Sequence, residues 1–176
     1  MFNTNQSQMD PTNVYVQAIG LGVIAGLRSM TAPALVSDYL QRTGLAEQID
    51  PARNPLVWSQ SASLFKMLAA GELIGDKLPF IPNRTDLGPL LGRALIGAAV
   101  GATLFQAHRA SPMIGAGCGC LGALIGTFGG YQLRKQLGRL LHVPDPILGA
   151  VEDSLAVSSG LTLLYRDSLL RPDRST

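Results

Sequence analysis

Residues 112–133 read PMIGAGCGCLGALIGTFGGYQL, from Pro112 to Leu133, with no ionisable group except two thiols and the phenol of Tyr131. A helix rises 1.5 Å per residue, so about 20 residues cross a hydrocarbon core of about 30 Å. A core helix of a water-soluble domain is rarely this long and this free of charge. The tract therefore predicts a membrane-spanning helix. Working outward, Val14–Leu27, Leu87–Ala107 and Pro146–Tyr165 repeat the theme with at most two charges each. Ser61–Leu78 is a weaker span, interrupted by Lys66, Glu72 and Asp76.

The whole chain agrees. Only 15% of its 176 residues are charged, against roughly 25% in soluble domains. The charges also cluster, at Arg134, Lys135 and Arg139 and again from Arg166 to Arg174. The fold class expected is all-α: a polytopic transmembrane helix bundle of about five spans, glycine-rich, with the first helix kinked or broken. A polar, disordered tail is expected over 1–13, a single transmembrane domain over 14–166 and a charged tail over 167–176. A cleaved leader is not expected, because Met1–Asn13 holds no Lys or Arg and Arg28 follows the first apolar run.

The spans are bounded by local signals. Thr12 or Asn13 can cap the first helix. Pro33 lacks an N–H and clashes with the carbonyl of Ser29, so a break or kink is expected over Arg28–Pro33. Leu35–Leu40 then continues as helix or ends the span. Gln41–Pro55 is a polar loop, Leu56–Leu78 the second helix and Phe80–Asp86 a short connection. Leu87–His108, Met113–Leu141 and Ile147–Leu164 follow as the third to fifth helices. Five spans would place the N-terminal tail, the 79–86 connection and the 134–145 segment on one side. The Lys and Arg counts of the two sides are too similar to orient the chain.

Glycines recur every four residues: Gly22/Gly26, Gly71/Gly75, Gly88/Gly92, Gly97/Gly101, Gly115/Gly119 and Gly122/Gly126/Gly130. In lipid no hydrophobic force draws helices together, and close backbone approach through small faces supplies much of the association. Without such packing each helical glycine costs about 1 kcal/mol relative to alanine. A short echo between Gly71–Asp76 with Pro79 and Pro146 with Gly149–Asp153 suggests an inverted repeat of the kind many transporters carry.

Ionisable groups inside a span cost about 2.5–3.5 kcal/mol each near the helix centre, which makes them functional candidates. Here they are Arg28, Lys66, Glu72, Asp76, Arg93, Glu152 and Asp153. Glu72 and Asp76 share a helix face at i and i+4. The site expected comprises Arg28, Ser29, Thr31, Glu72, Asp76, Arg93, Glu152 and Asp153. It would bind a cation, shuttle protons or meet a polar solute, with Arg28 and Arg93 balancing the acids or meeting an anion. The structural alternative is a network of Arg–carboxylate pairs, with Arg28 snorkelling and Asp76 at a helix end in the headgroup layer. The Arg28–Pro33 break likewise reads either as unwound backbone lining a cavity or as a plain proline kink.

Other functions find little support. The net charge of +2 and the lack of aromatic–basic interleaving argue against a nucleic-acid partner. No His-Glu-x-x-His, Gly-x-Ser-x-Gly or P-loop occurs, and no cofactor can be named. Cys118 and Cys120 read as small packing residues, since no second ligand pair accompanies them. His108 and His142 suit helix ends, and Trp58, Tyr15, Tyr131 and Tyr165 suit interfacial belts.

Gly26-Leu27-Arg28-Ser29-Met30-Thr31-Ala32-Pro33, then Glu72-Leu73-Ile74-Gly75-Asp76-Lys77-Leu78-Pro79 with Pro82 and Arg84, Arg93 with Gly97, and Pro144-Asp145-Pro146 with Glu152-Asp153 resemble the bacterial membrane family labelled domain of unknown function 4126. The resemblance runs from about Gly20 to Ala156. It implies a multi-pass protein of a bacterial inner or plasma membrane and leaves the activity open. The leading expectation is a small transporter-like or channel-like protein with the lipid bilayer, further copies of itself and a small solute or ion as partners. A non-transporting scaffold or assembly factor is the alternative. A lipid-headgroup enzyme using carboxylates to hold a divalent metal comes third.

Overall fold

The computed structural model describes residues 11–75, 87–141 and 145–170, with side chains placed over 13–72, 87–139 and 147–165. Among them the chain is wholly helical: α1 (Pro11–Leu27), α2 (Thr31–Thr43), α3 (Ser61–Gly75), α4 (Leu87–Ala107), α5 (Pro112–Leu141) and α6 (Asp145–Leu170). Short 3-10 turns occupy Leu45–Gln48 and Pro55–Val57 between α2 and α3. Three helices contain stretches long and apolar enough to cross a membrane, at Leu87–Ala107, Pro112–Arg139 and Ile147–Tyr165. A shorter apolar stretch, Asn13–Leu27, lies in α1.

The break expected over Arg28–Pro33 is present at Arg28–Met30, and the departure from expectation is the reversal of the chain there: α1 and α2 form a hairpin. Gly160 of α6 is approached by both Ile24 and Leu35, which lie at similar distances before and after the Arg28–Met30 turn. From there α6 runs back along α1, with Leu163 beside Gly20 and its carbonyl accepting from Gln17 at 3.0 Å. It also runs forward along α2, where Tyr39 meets Tyr165 edge-on with ring centroids 5.5 Å apart. The start of α1 and the end of α2 thus share one end of the bundle.

Pro33 lies just past the break. It occupies the third position of α2, inside the first turn, where a helix needs no N–H from it. It begins a helix and does not interrupt one. With the reversal, the N-terminal end of α1 and the 44–60 loop lie together. The C-terminal part of α5 lies at the opposite end, contrary to the arrangement expected from five spans.

Smaller boundary shifts have local causes. The first helix begins at Pro11, so residues 11–13 are helical and not tail, and α6 continues to Leu170 into the expected C-terminal tail. Gly44 ends α2 in the left-handed conformation (φ 73°) and donates to the Gln41 carbonyl. Asn54 caps the Pro55–Val57 turn by accepting from Leu56 N–H at 3.0 Å. The Ser61 hydroxyl then donates to the Pro55 carbonyl, so α3 starts at Ser61 and not at Leu56. The expected tail 1–10, the residues from Asp76 to Asp86 and the 142–144 turn lie outside the described residues.

Glycines weld α1, α4 and α5 into the centre. A Cβ at Gly101 would overlap the Gly115 carbonyl, one at Gly119 the Gly97 carbonyl, and one at Gly22 the Gly119 carbonyl. Gly122 and Gly126 lie equally close to the carbonyls of Ile19 and Val23. By contrast, a Cβ at Gly71, Gly88 or Gly92 would meet, among the described residues, nothing beyond its own helix within 4 Å. Only part of the four-residue pattern is packing. The two halves of the chain do run in opposite senses, but α4 and α5 share a long seam whereas α1 and α2 diverge beyond their turn.

Against this core, Leu21, Ile24, Val36, Leu40, Val100 and Leu104 form the main apolar cluster, and Val14, Ala18 and Phe105 a smaller one that Cys118 adjoins. Outward faces carry Leu91 and Leu95 on α4, Leu121 and Ile125 on α5, and Val151 and Leu155 on α6, all exposed. An exterior this apolar suits lipid contact.

α3 packs mainly on α2. Asp38 of α2 accepts from Lys66 Nζ at 2.6 Å and from Arg42 Nε at 2.6 Å.

Two outcomes are expected. Gly101→Ala or Gly119→Ala should destabilise by at least about 1–3 kcal/mol, since the obstructing atoms are backbone, while Gly88→Ala should be neutral or stabilising by up to about 1 kcal/mol. Thermal unfolding in detergent checks the contrast, and equal effects would contradict the seam.

Candidate functional site

The turn at Arg28–Met30 exposes the peptide groups of two helix ends. α1 makes its last helical bond from Arg28 N–H to the Ile24 carbonyl at 2.7 Å. The carbonyls of Gly26 and Leu27 then lack a helical donor, and the first N–H groups of α2 lack an acceptor. Partners for both ends come from distant parts of the chain.

At the end of α1, Arg93 of α4 donates from Nη1 to the Gly26 carbonyl and, at 3.2 Å, to the Leu27 carbonyl. Thr127 of α5 shares its single hydroxyl proton between Ala123 O at 2.8 Å and Gly26 O at 3.2 Å. At the start of α2, the Glu72 carboxylate accepts from Ser29 N–H at 2.9 Å and Met30 N–H at 3.0 Å, one on each oxygen. A helix C-terminus carries partial negative charge and an N-terminus partial positive charge. A cation thus meets the first and an anion the second, so both caps have the favourable sign.

Arg28 points from the turn to α6, where its Nε pairs with Asp153 Oδ1; the two side chains are 5% and 16% exposed. One position earlier on α6, Glu152 Oε2 lies 3.8 Å from Arg134 Nη1 of α5. Gly149, one turn back on the same helix, leaves space for both guanidiniums: a Cβ there would lie 2.9 Å from Arg134 Nη2 and 3.9 Å from Arg28 Nη2. Among the described residues the group holds three bases (Arg28, Arg93, Arg134) and three acids (Glu72, Glu152, Asp153), contributed by α3 to α6 and the turn itself.

Of the residues singled out from sequence, Arg28, Ser29, Glu72, Arg93, Glu152 and Asp153 meet at this one place. Ser29 takes part through its backbone N–H. Among the described residues Thr31 makes no side-chain hydrogen bond, and Asp76 lies outside them. Arg134, Thr127 and Gly149 were missed. Arg134 was legible: Gly119, Ala123, Gly126/Thr127 and Gly130 form the face of α5 against α1, and Arg134 continues that three-to-four-residue spacing.

Lys66 belongs elsewhere, with Asp38. Among the described residues no three His, Cys, Asp or Glu side chains are placed to share a metal ion. Glu72 is on one flank of the turn while Glu152 and Asp153 face arginines on the other. His108 donates from Nδ1 to the Leu104 carbonyl at the end of α4, in keeping with a helix-end role. Compared with known proteins, the chain matches no family model, no curated protein and no solved structure, so the site's geometry carries the functional argument.

Removing one partner of a buried pair strands the other charge, at a cost of about 3–5 kcal/mol, whereas replacing both by apolar groups is much less harmful. Arg28→Met alone should therefore destabilise by about that amount, and Arg28→Met combined with Asp153→Leu by clearly less. A double-mutant cycle on unfolding in detergent measures this. Additive losses would show that the pair is not coupled.

Proposed function

We propose that the chain is a multi-pass membrane protein, of the bacterial inner-membrane kind its motifs resemble, that moves a small solute or ion past the charged turn between α1 and α2. The observation that carries this reading is the break in backbone at Arg28–Met30, inside the bundle, met by charged groups from four other helices. α1 is 17 residues long, so the turn lies about 25 Å from its start, within reach of the far edge of a hydrocarbon core of about 30 Å. Charges held there are costly to insert and are characteristic of ion and substrate paths. Discontinuous helices whose ends face the site are a recurring transporter device.

The caps suit such a role because they can be exchanged. Glu72 sits on α3, the helix that packs mainly on α2, and its carboxylate can be traded for water or a ligand if α3 shifts. Arg93 is more firmly placed, 7% exposed and behind the glycine seam.

A scaffold is the second reading, favoured by the balance of three bases and three acids, which satisfies the cluster without any ligand. The open glycine faces at Gly88 and Gly92 would then serve docking, to further copies of the chain or to another membrane protein.

Flux into proteoliposomes of purified protein separates the two. Protons, sodium, divalent cations and small anions are screened, with Glu72→Gln and Glu152→Gln beside the wild type. Transport predicts flux of at least one species, reduced at least tenfold in either variant while the protein elutes folded and at its normal size. No flux of any species from folded wild-type protein would overturn transport and leave the scaffold.

A further inference from the structure

We propose that Arg28, Arg134 and the bare backbone at Gly149 bind a small oxyanion, of carboxylate or phosphate type, in exchange for the Glu152 carboxylate; this names the substrate class of the transport site and rests on that reading. Three observations carry it.

The first is convergence. Two guanidiniums from different elements, the turn and α5, reach the same point on α6. Their end nitrogens lie no further apart than the sum of their 2.9 and 3.9 Å distances from the Gly149 Cβ position. Asp153 and Glu152 hold the two like charges together. A guanidinium fork matches the planar oxygens of a carboxylate or phosphate, and two such forks can hold one oxyanion between them.

The second is the internal anion already in place. Glu152 and Asp153 follow Gly149 by three and four residues, on the same face of α6. Asp153 pairs with Arg28, 5% exposed. Glu152 faces Arg134, whose side chain is 25% exposed. The arrangement therefore has a closed inner pair and an outer pair where a soluble anion can compete for Arg134.

The third is the approach. Beyond Arg134, α5 continues through Lys135 and Arg139 with no acid before its end at Leu141, and both side chains are exposed. A basic lip of this kind raises the local concentration of anions and repels cations. Arg134 already has a carboxylate, Glu152, within 3.8 Å, so an entering anion competes with that charge. Glu152, beside the outer arginine, is the group in position to yield.

The full chain in uncharged detergent is titrated calorimetrically with inorganic phosphate and, separately, with acetate. Binding of at least one is expected. Glu152→Gln, which removes the competing carboxylate charge, should bind at least tenfold more tightly, and Arg134→Gln should lose binding. Gly149→Ala provides a milder variant: its methyl meets the flexible end of Arg134, so the chain folds while affinity falls about tenfold.

Adding phosphatidylglycerol to the micelles distinguishes the anion's source. Competition with free phosphate assigns the site to a lipid headgroup, and its absence assigns it to a free anion; either agrees with an oxyanion site. Failure of phosphate, acetate and phosphatidylglycerol to bind overturns the proposal, as does equal affinity in wild type, Glu152→Gln and Arg134→Gln. The outcome is separable from transport itself. Cation flux without anion binding removes this site and keeps transport, while anion binding without any flux removes transport and keeps the site.

Discussion

Two helix ends that open inside an apolar bundle must find partners for their peptide groups, and the rest of this fold is arranged around that need. Glu72 takes the N–H groups at the start of α2, and Arg93 takes the carbonyls at the end of α1. Each cap comes from far along the chain, and each needs its own helix brought close. Arg93 reaches the Gly26 carbonyl because α1 and α4 both lie against the glycine face of α5, where Gly22 and Gly97 meet Gly119. Side chains at those positions would push α4 away and leave the carbonyls uncapped. The glycine seams and the polar site are therefore one design, with packing setting the distance at which the charges can act.

The turn also accounts for the remaining charges. Reversal of the chain directs Arg28 toward α6, where Asp153 meets it. Glu152 of the same helix faces Arg134, and Arg93, also buried, is met by backbone carbonyls. Charges held in an apolar bundle are costly unless paired, and these helices bring the opposite signs together.

Much of this was legible in the sequence, and the remainder was not for definable reasons. The charge-free tract Pro112–Leu133 announced a long apolar helix because nothing else tolerates such a run. Bilayer energetics picked out Arg28, Glu72, Arg93, Glu152 and Asp153, since uncompensated charges in apolar helices demand partners. The hairpin was not legible. A proline five residues past Arg28 disrupts a continuing helix and starts a new one equally well, and the choice depends on caps 43 and 66 residues away in sequence. Glycine spacing was similarly ambiguous: Gly97/Gly101 and Gly88/Gly92 look alike, yet only the first pair faces another backbone. Arg134 was assigned to the bilayer edge by counting residues, although its place on the α5 face already aligned it with the turn.

The reversal of the chain at Arg28–Met30 is the claim on which the caps, the charge pairs and the proposed transport path all depend. Spin labels at Val16 and Arg42, both exposed, test it directly in lipid, with Cys118 and Cys120 replaced by serine so that only the two labels report. A single kinked span would carry these positions toward opposite faces, up to about 39 Å apart for 26 residues of helix. The hairpin predicts a distance far shorter than that, unchanged between detergent and bilayer. A distribution centred near the full helical length would contradict the account.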